Sequence, residues 1–269
     1  MPATLSEEAL APLRADPAHT AILLDIDGTL APIVERAAEA RVPEQTRQLV
    51  KQIANRYGLV AAVSGRRASE ARAMVSIGTI SYLGSHGAEL LRAGWTRPVL
   101  DPAVEEWSRR VQTFAHELDT ADLRRQRVRI EDKGAIVAFH WRGAEDEDVA
   151  KAAVDGIAVR AEATGFRTHW GRKVLEVRPP VKIDKGSGIA TLLKGTDVVA
   201  ALFVGDDRTD LDGFRMLTEL AREGRLKHAV RVVVRSDDGP PELADEADLV
   251  VEGTAGVREL LKLLAAPEA

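Results

Sequence analysis

The feature of this sequence that most constrains its fold is an apolar run that ends in two carboxylates. Residues 20–24 have the composition of a buried strand, and Asp25 and Asp27 follow directly, with Gly28 next. Parallel strands are apolar along their length, and open α/β sheets bind ligands at the carboxyl ends of their strands. Two crowded carboxylates repel each other unless a cation neutralises them, so the pattern indicates a divalent metal. A turn that leaves a strand would also explain Asp27 and Gly28.

Two further apolar runs end in polar residues in the same way. They span residues 59–63 and 198–204. The polar residues that follow them are Ser64, Gly65 and Arg66 in the first case and Gly205, Asp206, Asp207 and Asp210 in the second. If the three strands are parallel neighbours, these residues meet Asp25 and Asp27 at one edge of the sheet, where a helix that begins near Lys185 adds a lysine.

The residue types at this edge favour Mg²⁺ and phosphoryl transfer. Carboxylates and hydroxyls are hard oxygen ligands, and the chain contains no Cys, so the set suits Mg²⁺ better than zinc. A carboxylate can be the nucleophile in phosphoryl transfer, while a metal and a lysine neutralise charge on the phosphoryl oxygens. Each polar strand end has a plain explanation as a loop or a helix cap, but the three together favour a site.

The order of strand and helix patterns predicts an α/β fold with a doubly wound, mainly parallel sheet. Strands and helices alternate up to about residue 101 and again from about residue 179. Between these segments the order is helix, hairpin, helix, hairpin, which is an α+β pattern. We expect a core domain made of residues 1–101 and 179–269, interrupted by an inserted α+β domain at residues 102–178.

Three local features complete the expected secondary structure. Ser6 is expected to cap the first helix, and Thr209 is expected to cap a helix that runs to about residue 223. Acidic residues between 237 and 248 are expected to lie in a solvated loop. These residues are Asp237, Asp238, Glu242, Asp245, Glu246 and Asp248.

Charge and composition exclude several classes of function. The net charge is -5, with acidic and basic residues interleaved along the chain, which argues against a nucleic-acid partner. The absence of Cys excludes disulfides and thiolate catalysis. The N-terminal residues lack a secretory signal pattern, and no apolar run approaches the length that spans a membrane. We therefore expect no membrane partner and a cytoplasmic location.

Four motifs, in order along the chain, resemble those of the haloacid dehalogenase-like phosphohydrolases. They are Asp-Ile-Asp-Gly-Thr-Leu at 25–30, Ser-Gly-Arg at 64–66, Lys-Gly at 185–186 and Gly-Asp-Asp-Arg-Thr-Asp at 205–210. The resemblance implies a phosphatase core whose larger α+β caps are inserted between the second and third motifs. It also implies hydrolysis of a phosphoester, since relatives that lack the second carboxylate of the first motif run other reactions.

This resemblance also implies roles for individual residues. Asp25 would be the nucleophile, and Asp27 would protonate the leaving oxygen and then activate water. Ser64 and Gly65 would bind the phosphoryl group, and Lys185 would hold both the nucleophile and the phosphate. The metal would be held by Asp25, the backbone carbonyl of Asp27, and Asp206, with Asp207 and Asp210 in support.

Lys182 is a second candidate for the lysine, but Lys185 opens a helix and fits the pattern. The last motif departs from the family at Leu211, where Glu is common, which puts a supporting contact in doubt.

Further motifs resemble those of the trehalose-6-phosphate phosphatases within this superfamily. They are Gly-Ser-His-Gly-Ala-Glu at 84–89, Ile-Glu-Asp-Lys-Gly at 130–134, His-Trp-Arg at 140–142 and Val-Leu-Glu-Val-Arg-Pro at 174–179. The resemblance implies that polar residues of the inserted domain grip the sugar hydroxyls. The substrate-binding candidates are Glu131, Lys133 and Glu176, with Arg142, His86 and Arg66 beside them. From structure alone, Glu131 and Lys133 could equally be exposed charges at a hairpin turn.

The implied reaction is Mg²⁺-dependent hydrolysis of trehalose 6-phosphate, the last step of trehalose biosynthesis, through a phosphorylated Asp25. The implied partners are a small sugar phosphate and a trehalose-phosphate synthase in the same pathway. One alternative is a related capped phosphatase that acts on another phosphosugar, such as sucrose phosphate or mannosylphosphoglycerate. A second alternative is an inactive module that binds sugar phosphates and regulates a synthase.

Overall fold

A computed structural model of the chain describes residues 3–5, 7–34, 39–236 and 239–267. The chain forms two compact units, one made of Met1–Val99 and Ile183–Ala269 and the other made of Leu100–Lys182. We call them the core unit and the inserted unit. Among the residues described, no helix combines the length and the apolar character needed to cross a membrane. The assignment of residues 102–178 as a substrate-specificity domain stays a prediction.

The described part of the chain contains two β-sheets. Its strands are β1 (Ala3–Thr4), β2 (Thr20–Asp25), β3 (Leu59–Val63), β4 (Ser81–Gly84), β5 (Glu89–Leu91), β6 (Val99–Leu100), β7 (Arg129–Asp132), β8 (Val137–His140), β9 (Arg167–Gly171), β10 (Val174–Arg178), β11 (Ala200–Gly205), β12 (His228–Arg235) and β13 (Leu249–Glu252). The larger sheet has the order β1-β13-β12-β11-β2-β3-β4-β5-β6. Neighbours from β1 to β4 are parallel, and β5 runs antiparallel to β4.

Helices cover both faces of the larger sheet. The α-helices among the described residues are α1 (Glu7–Arg14), α2 (Glu44–Ala54), α3 (Ala68–Val75), α4 (Pro102–Leu118), α5 (Ala121–Arg125), α6 (Glu147–Ala163), α7 (Lys185–Leu193), α8 (Asp210–Arg222), α9 (Pro241–Asp245) and α10 (Gly253–Ala265). Side chains of β2 alternate between the two faces. Ile22 and Leu24 pack with α1, α2, α3 and α10, whereas Ala21 and Leu23 pack with α7 and α8. Burying a leucine of this kind contributes about 1.5–3 kcal/mol. The predicted doubly wound α/β core is confirmed.

The inserted unit has the predicted α+β character. Its strands form an antiparallel sheet in the order β7-β8-β10-β9. One face of this sheet is apolar and buries Phe139 and Leu175 against α4 and α6. On the other face, Glu131 and Glu176 lie in one row on either side of Ala138. Since side chains alternate along a strand, this second face carries polar residues without disturbing the core.

Two local predictions are wrong, and others fall outside the described residues. Ser6, Asp237 and Asp238 lie outside the ranges given above, so their predicted roles stay predictions. Thr209 has helical backbone angles and makes no capping bond; its hydroxyl donates to Asp207 Oδ1 at 2.6 Å instead.

The acidic segment is not a simple solvated loop. Residues Pro241–Asp245 form α9, because a proline is well suited to the first turn of a helix. Glu246 accepts hydrogen bonds from Arg215, and Asp248 accepts two from the guanidinium of Arg231. These two carboxylates therefore attach the segment to α8 and β12.

Candidate active site

The three strands that end in polar residues are adjacent in the larger sheet. Strand β2 lies between β11 and β3 and is parallel to both. Asp25 is the last residue of β2 and pairs with Val63, the last residue of β3. Ser64 follows β3 and Asp206 follows β11, so the polar ends meet at one edge of the sheet, as the sequence predicts.

Asp25 is buried, and only one of its carboxylate oxygens has a partner. Its Oδ1 accepts a hydrogen bond from Lys185 Nζ at 2.7 Å. Its Oδ2 is buried without a hydrogen-bond donor among the described residues. Burial raises the pKa of the Asp25 carboxyl to about 7, against the opposing effect of Lys185. A buried acceptor without a donor is costly, and a cation at Oδ2 would satisfy it.

Lys185 joins the two sides of the site. It is the first residue of α7, which begins with a capping box between Asp184 and Ser187. Its Nζ lies 2.7 Å from both Asp25 Oδ1 and Asp210 Oδ1. Burial alone would lower the pKa of the ammonium, but the charges of Asp210 and Asp25 outweigh it and raise that pKa above its usual range. The ammonium therefore stays charged.

Asp206 and Asp210 complete a cluster of buried carboxylates. Oxygen atoms of Asp25, Asp206 and Asp210 lie within 4.8 Å of one another. Asp210 Oδ2 accepts the backbone N–H groups of Asp206 and Asp207, both at 3.0 Å, and its Oδ1 binds Lys185. Both oxygens of Asp210 thus have hydrogen-bond donors. Asp206 accepts one bond, from the Thr29 hydroxyl at 3.3 Å. Burial, with the charges of Asp210 and Asp207, raises the pKa of Asp206 to about 6.

The carboxylate cluster fits a metal ion. Asp25 Oδ2 and Asp206 offer acceptor capacity that the protein does not fill, and the whole set consists of oxygen atoms. Such a set is typical of a hard divalent cation. Buried carboxylates that lie this close together destabilise the fold unless a cation neutralises them. A bound cation therefore explains the cluster.

Asp27 forms an ion pair with Arg66. It is less buried than Asp25 and accepts two hydrogen bonds at 2.7 Å from Arg66, one from Nε and one from Nη2. This bidentate pair joins the first and second motifs directly. The backbone after Asp27 turns at Gly28, whose N–H donates to Ala31 O at 2.8 Å.

Gly28 is required at its position for two reasons. Its φ is +90°, which residues with a side chain rarely adopt. A Cβ at this position would lie 1.9 Å from Asp206 Oδ2. The glycine therefore lets the loop of the first motif approach the carboxylate of the last motif.

The loop after β3 is compact. Ser64 is buried, and its Oγ accepts the backbone N–H of Arg66 at 3.1 Å. Gly65 lies under the His86 imidazole, so a Cβ there would be 2.7 Å from His86 Cε1. The structure therefore brings Ser64, Gly65, Arg66 and His86 together in the core unit.

Four further candidates lie in the inserted unit. Lys133 Nζ donates to Glu176 Oε1 at 3.0 Å, while Glu131 Oε2 binds His140 Nε2 at 2.7 Å. Arg142 lies apart from these contacts, donating to the backbone oxygen of Arg172 at 3.2 Å. The unit therefore presents a polar sheet face, with Arg142 near a hairpin turn.

Comparison with known proteins decides the family. A family model described as trehalose-phosphatase matches residues 23–252, which include the core motifs and the whole inserted unit. The chain belongs to the trehalose-phosphatase family. Probable trehalose-phosphate phosphatase D of Arabidopsis thaliana is 32% identical over 208 residues, which cover 73% of this chain and 56% of that relative. The chain thus spans little more than half the length of this curated relative.

Solved structures of trehalose-phosphatase relatives share the fold. The C-terminal domain of C. albicans trehalose-6-phosphate phosphatase aligns with a TM-score of 0.70 at 21% identity, covering 98% of this chain and 99% of that one. The C-terminal domain of the Candida albicans trehalose synthase regulatory protein aligns with a TM-score of 0.65 at 15% identity, with coverages of 98% and 99%. At these identities the likeness concerns the fold.

Sequence reasoning missed several contacts that the candidate residues of this trehalose-phosphatase relative make. Arg178 binds Glu176 Oε2 and therefore shares that carboxylate with Lys133. Its spacing of two residues from Glu176 on one strand was a usable signal, because such residues share a sheet face. The pairing of Arg66 with Asp27 had no such signal, since it joins two loops that are distant in sequence.

Proposed function

We propose that this chain is a Mg²⁺-dependent phosphatase that hydrolyses trehalose 6-phosphate to trehalose and inorganic phosphate. The observation that carries the proposal is the buried Asp25 carboxylate, with one oxygen held by Lys185 and the other open. Membership of the trehalose-phosphatase family and the name of the Arabidopsis relative support the choice of substrate.

The reaction proceeds in two steps on Asp25. A carboxylate oxygen of Asp25 attacks phosphorus, the bond from phosphorus to the sugar oxygen breaks, and Asp27 protonates the departing oxygen. Water then attacks phosphorus in the aspartyl phosphate, Asp27 takes its proton, and phosphate leaves. Asp25 and Asp27 return to their starting states. Lys185 holds the attacking carboxylate and offers positive charge to the phosphoryl oxygens.

The metal would be held by Asp25, Asp206 and the backbone carbonyl of Asp27. When bound, Mg²⁺ supplies positive charge that offsets the charge on the phosphoryl oxygens. The Ser64 hydroxyl and the Gly65 backbone bind the phosphoryl group. Asp210 keeps Lys185 and the Asp206 backbone in place through the hydrogen bonds described above, and Asp207 adds negative charge 3.8 Å from Lys185 Nζ.

Arg66 orients the Asp27 side chain. Its fork-like pair of hydrogen bonds fixes the orientation of the Asp27 carboxylate. Because the same guanidinium is only partly buried, it is also available to an anionic substrate. Arg66 is therefore assigned to both positioning and substrate binding.

The sugar is bound by charged residues of the inserted unit, with His86 of the core unit as an additional candidate. Glu131 and Glu176 accept hydrogen bonds from sugar hydroxyls, and Lys133 and Arg142 donate. Glu176 is well suited to this task, because Arg178 and Lys133 outweigh its burial and hold the pKa of its carboxyl below the usual value. The substrate of the enzyme is supplied by a synthase that makes the sugar phosphate.

Two alternatives make different predictions. A related phosphatase for another phosphosugar would keep the Asp25 chemistry and differ in the inserted unit. A regulatory module would bind sugar phosphates without releasing phosphate. The presence of both Asp25 and Asp27 favours an enzyme, since binding alone does not require a proton donor at position 27.

The test is phosphate release from a panel of substrates: trehalose 6-phosphate, sucrose 6-phosphate, glucose 6-phosphate and mannosylphosphoglycerate. We expect selective turnover of trehalose 6-phosphate that requires Mg²⁺ and is lost with EDTA. Asp25→Asn is the matched control, since it keeps the side-chain shape. Turnover of another panel member would overturn the substrate, and the absence of turnover with every member would overturn the enzyme.

A further inference from the structure

The segment that links β4 to β5 has an unusual backbone. Ser85, His86 and Gly87 have φ values of 49°, 57° and 101° in succession, so all three are left-handed. This conformation is unfavourable for serine and histidine, at a cost of order 1–3 kcal/mol each. Such a turn persists only when its surroundings hold it. We call these three residues the His86 turn.

One side of the His86 turn is bound to the loop that carries Ser64. The backbone N–H of Ser85 donates to Arg66 O at 2.7 Å, and that of His86 donates to Ser64 O at 3.1 Å. The imidazole covers Gly65 so closely that an added Cβ would lie 2.7 Å from Cε1 and 2.8 Å from Nε2. The ring thus occupies the volume that a side chain at position 65 would need.

The other side of the His86 turn packs against the start of α7. A Cβ on Gly87 would lie 2.5 Å from Asp184 O and 3.0 Å from Gly188 Cα. These residues flank Lys185, whose ammonium binds Asp25. Close backbone contact on this side leaves the turn little freedom to shift relative to α7.

The end of the segment is attached as well. The buried Glu89 carboxylate accepts the backbone N–H of Ala68, the first residue of α3, at 2.8 Å. A Cβ on Gly84 would lie 2.1 Å from the same nitrogen. The segment is therefore fixed to the helix that follows the Ser64 loop.

We infer that the His86 turn is a spacer that sets the position of the Ser64 loop relative to Lys185, and that His86 is a positioning residue for the phosphate-binding backbone at Gly65. This inference rests on the proposed function. His86 acts on the phosphoryl group through Gly65, by packing, in place of the sugar contact for which it is a candidate, and its loss affects phosphate recognition more than sugar recognition.

A double-mutant cycle between positions 65 and 86 tests the inference. Gly65→Ala places a methyl group against the ring, whereas His86→Asn removes Cε1 and Nε2, the two atoms nearest to that methyl group. Asparagine also tolerates the left-handed conformation, so the backbone is kept. The readouts are inhibition by orthovanadate, which mimics the phosphoryl group, and inhibition by trehalose, which occupies the sugar site alone.

We expect Gly65→Ala to weaken vanadate inhibition by about 100-fold, since small displacements of binding groups carry penalties of that size. His86→Asn alone weakens it by about tenfold, and the double variant resembles His86→Asn because the clash is gone. Trehalose inhibition stays within about twofold throughout. Gly78→Ala and His228→Ala are matched controls, because a Cβ on Gly78 would lie an ordinary 3.7 Å from Arg72 Nη2 and His228 is exposed on β12.

Three results would overturn the inference. The first is a double variant in which the fold-changes in vanadate inhibition caused by Gly65→Ala and His86→Asn simply multiply. The second is a His86→Asn variant in which trehalose inhibition is weakened and vanadate inhibition is not. If Gly65→Ala does not fold, the His86→Asn and His86→Gln variants test the inference without it. The third contradicting result is then vanadate inhibition that is unchanged in both of these variants. In each case phosphate release by the unmutated chain leaves the proposed function intact. An unmutated chain that releases no phosphate overturns both.

Discussion

Lys185 Nζ lies 2.7 Å from Asp25 Oδ1 and is almost completely buried. The same ammonium binds Asp210 at the same distance, so one cation serves two buried carboxylates. The contact with Asp25 places positive charge at the proposed nucleophile, and the contact with Asp210 ties α7 to the loop that carries Asp206. Lys185 is therefore expected to matter for both folding and catalysis.

Replacing Lys185 with methionine should destabilise the protein strongly. Methionine is about as long as lysine but leaves two buried carboxylates without their cation. We therefore expect a loss of about 3–5 kcal/mol in the free energy of unfolding. Chemical denaturation measures this loss. Lys262→Met is the control, because the exposed pair of Lys262 with Glu259 should change the value by less than about 1 kcal/mol. Equal effects of the two substitutions would contradict the role given to Lys185.

Replacing Gly28 with alanine should weaken the proposed Mg²⁺ site. The new methyl group would collide with Asp206 Oδ2, and we expect the Mg²⁺ concentration for half-maximal turnover to rise by at least about tenfold. Gly94→Ala is a matched control, since Gly94 also has a positive φ, of 77°, but has open space around it. Gly94→Ala should lose about 1–2 kcal/mol of stability, which is the cost of a positive φ for alanine, without a change in Mg²⁺ dependence. A normal Mg²⁺ dependence in Gly28→Ala would argue against Asp206 as a ligand.

The stability contributed by Glu176 should depend on pH. Burial opposes ionisation, but Arg178 and Lys133 prevail and hold the pKa of Glu176 below its usual value of 4.5. A carboxyl with a lowered pKa contributes stability above the usual pKa and loses it as the pH falls through the lowered value. The melting temperature of the unmutated protein should therefore exceed that of Glu176→Gln at about pH 7, and the difference should shrink below about pH 4.5. Glu106→Gln, at an exposed position of α4, is the control. A difference that grows in acid would contradict this assignment.

Asp27→Asn should separate catalysis from binding. Loss of the proton donor should lower turnover by at least about 100-fold, while inhibition by trehalose changes little, because Asp27 is not assigned to the sugar. Steady-state kinetics with trehalose as a product inhibitor measures both quantities. Loss of trehalose inhibition with normal turnover would instead place Asp27 in the sugar site.

Much of the core and its site follows from the sequence, because local patterns decide it. The runs at 20–24, 59–63 and 198–204 are apolar enough to be central strands, and α7 begins at Lys185 as expected. Parallel packing of neighbouring strands then brings their polar ends together without further information.

Other features could not be predicted, because they depend on contacts between distant segments. The pairing of Arg66 with Asp27 and the fit of His86 over Gly65 are of this kind. The short elements β1, β6, α5 and α9 were also missed, since a few residues carry too little periodicity to be recognised. Thr209 does not cap α8 because its backbone angles are helical, whereas a capping residue is typically extended, and its hydroxyl donates to Asp207 Oδ1.

The most direct test of the account is to trap the phosphorylated nucleophile. The protein is mixed with trehalose 6-phosphate and Mg²⁺, quenched in acid during turnover and treated with borohydride, which reduces an acyl phosphate to an alcohol. Peptide mass spectrometry should then find homoserine at position 25 and unmodified Asp27, and Asp25→Asn should show neither product nor turnover. An unmodified Asp25 during active turnover, or an active Asp25→Asn variant, would contradict the central role of Asp25.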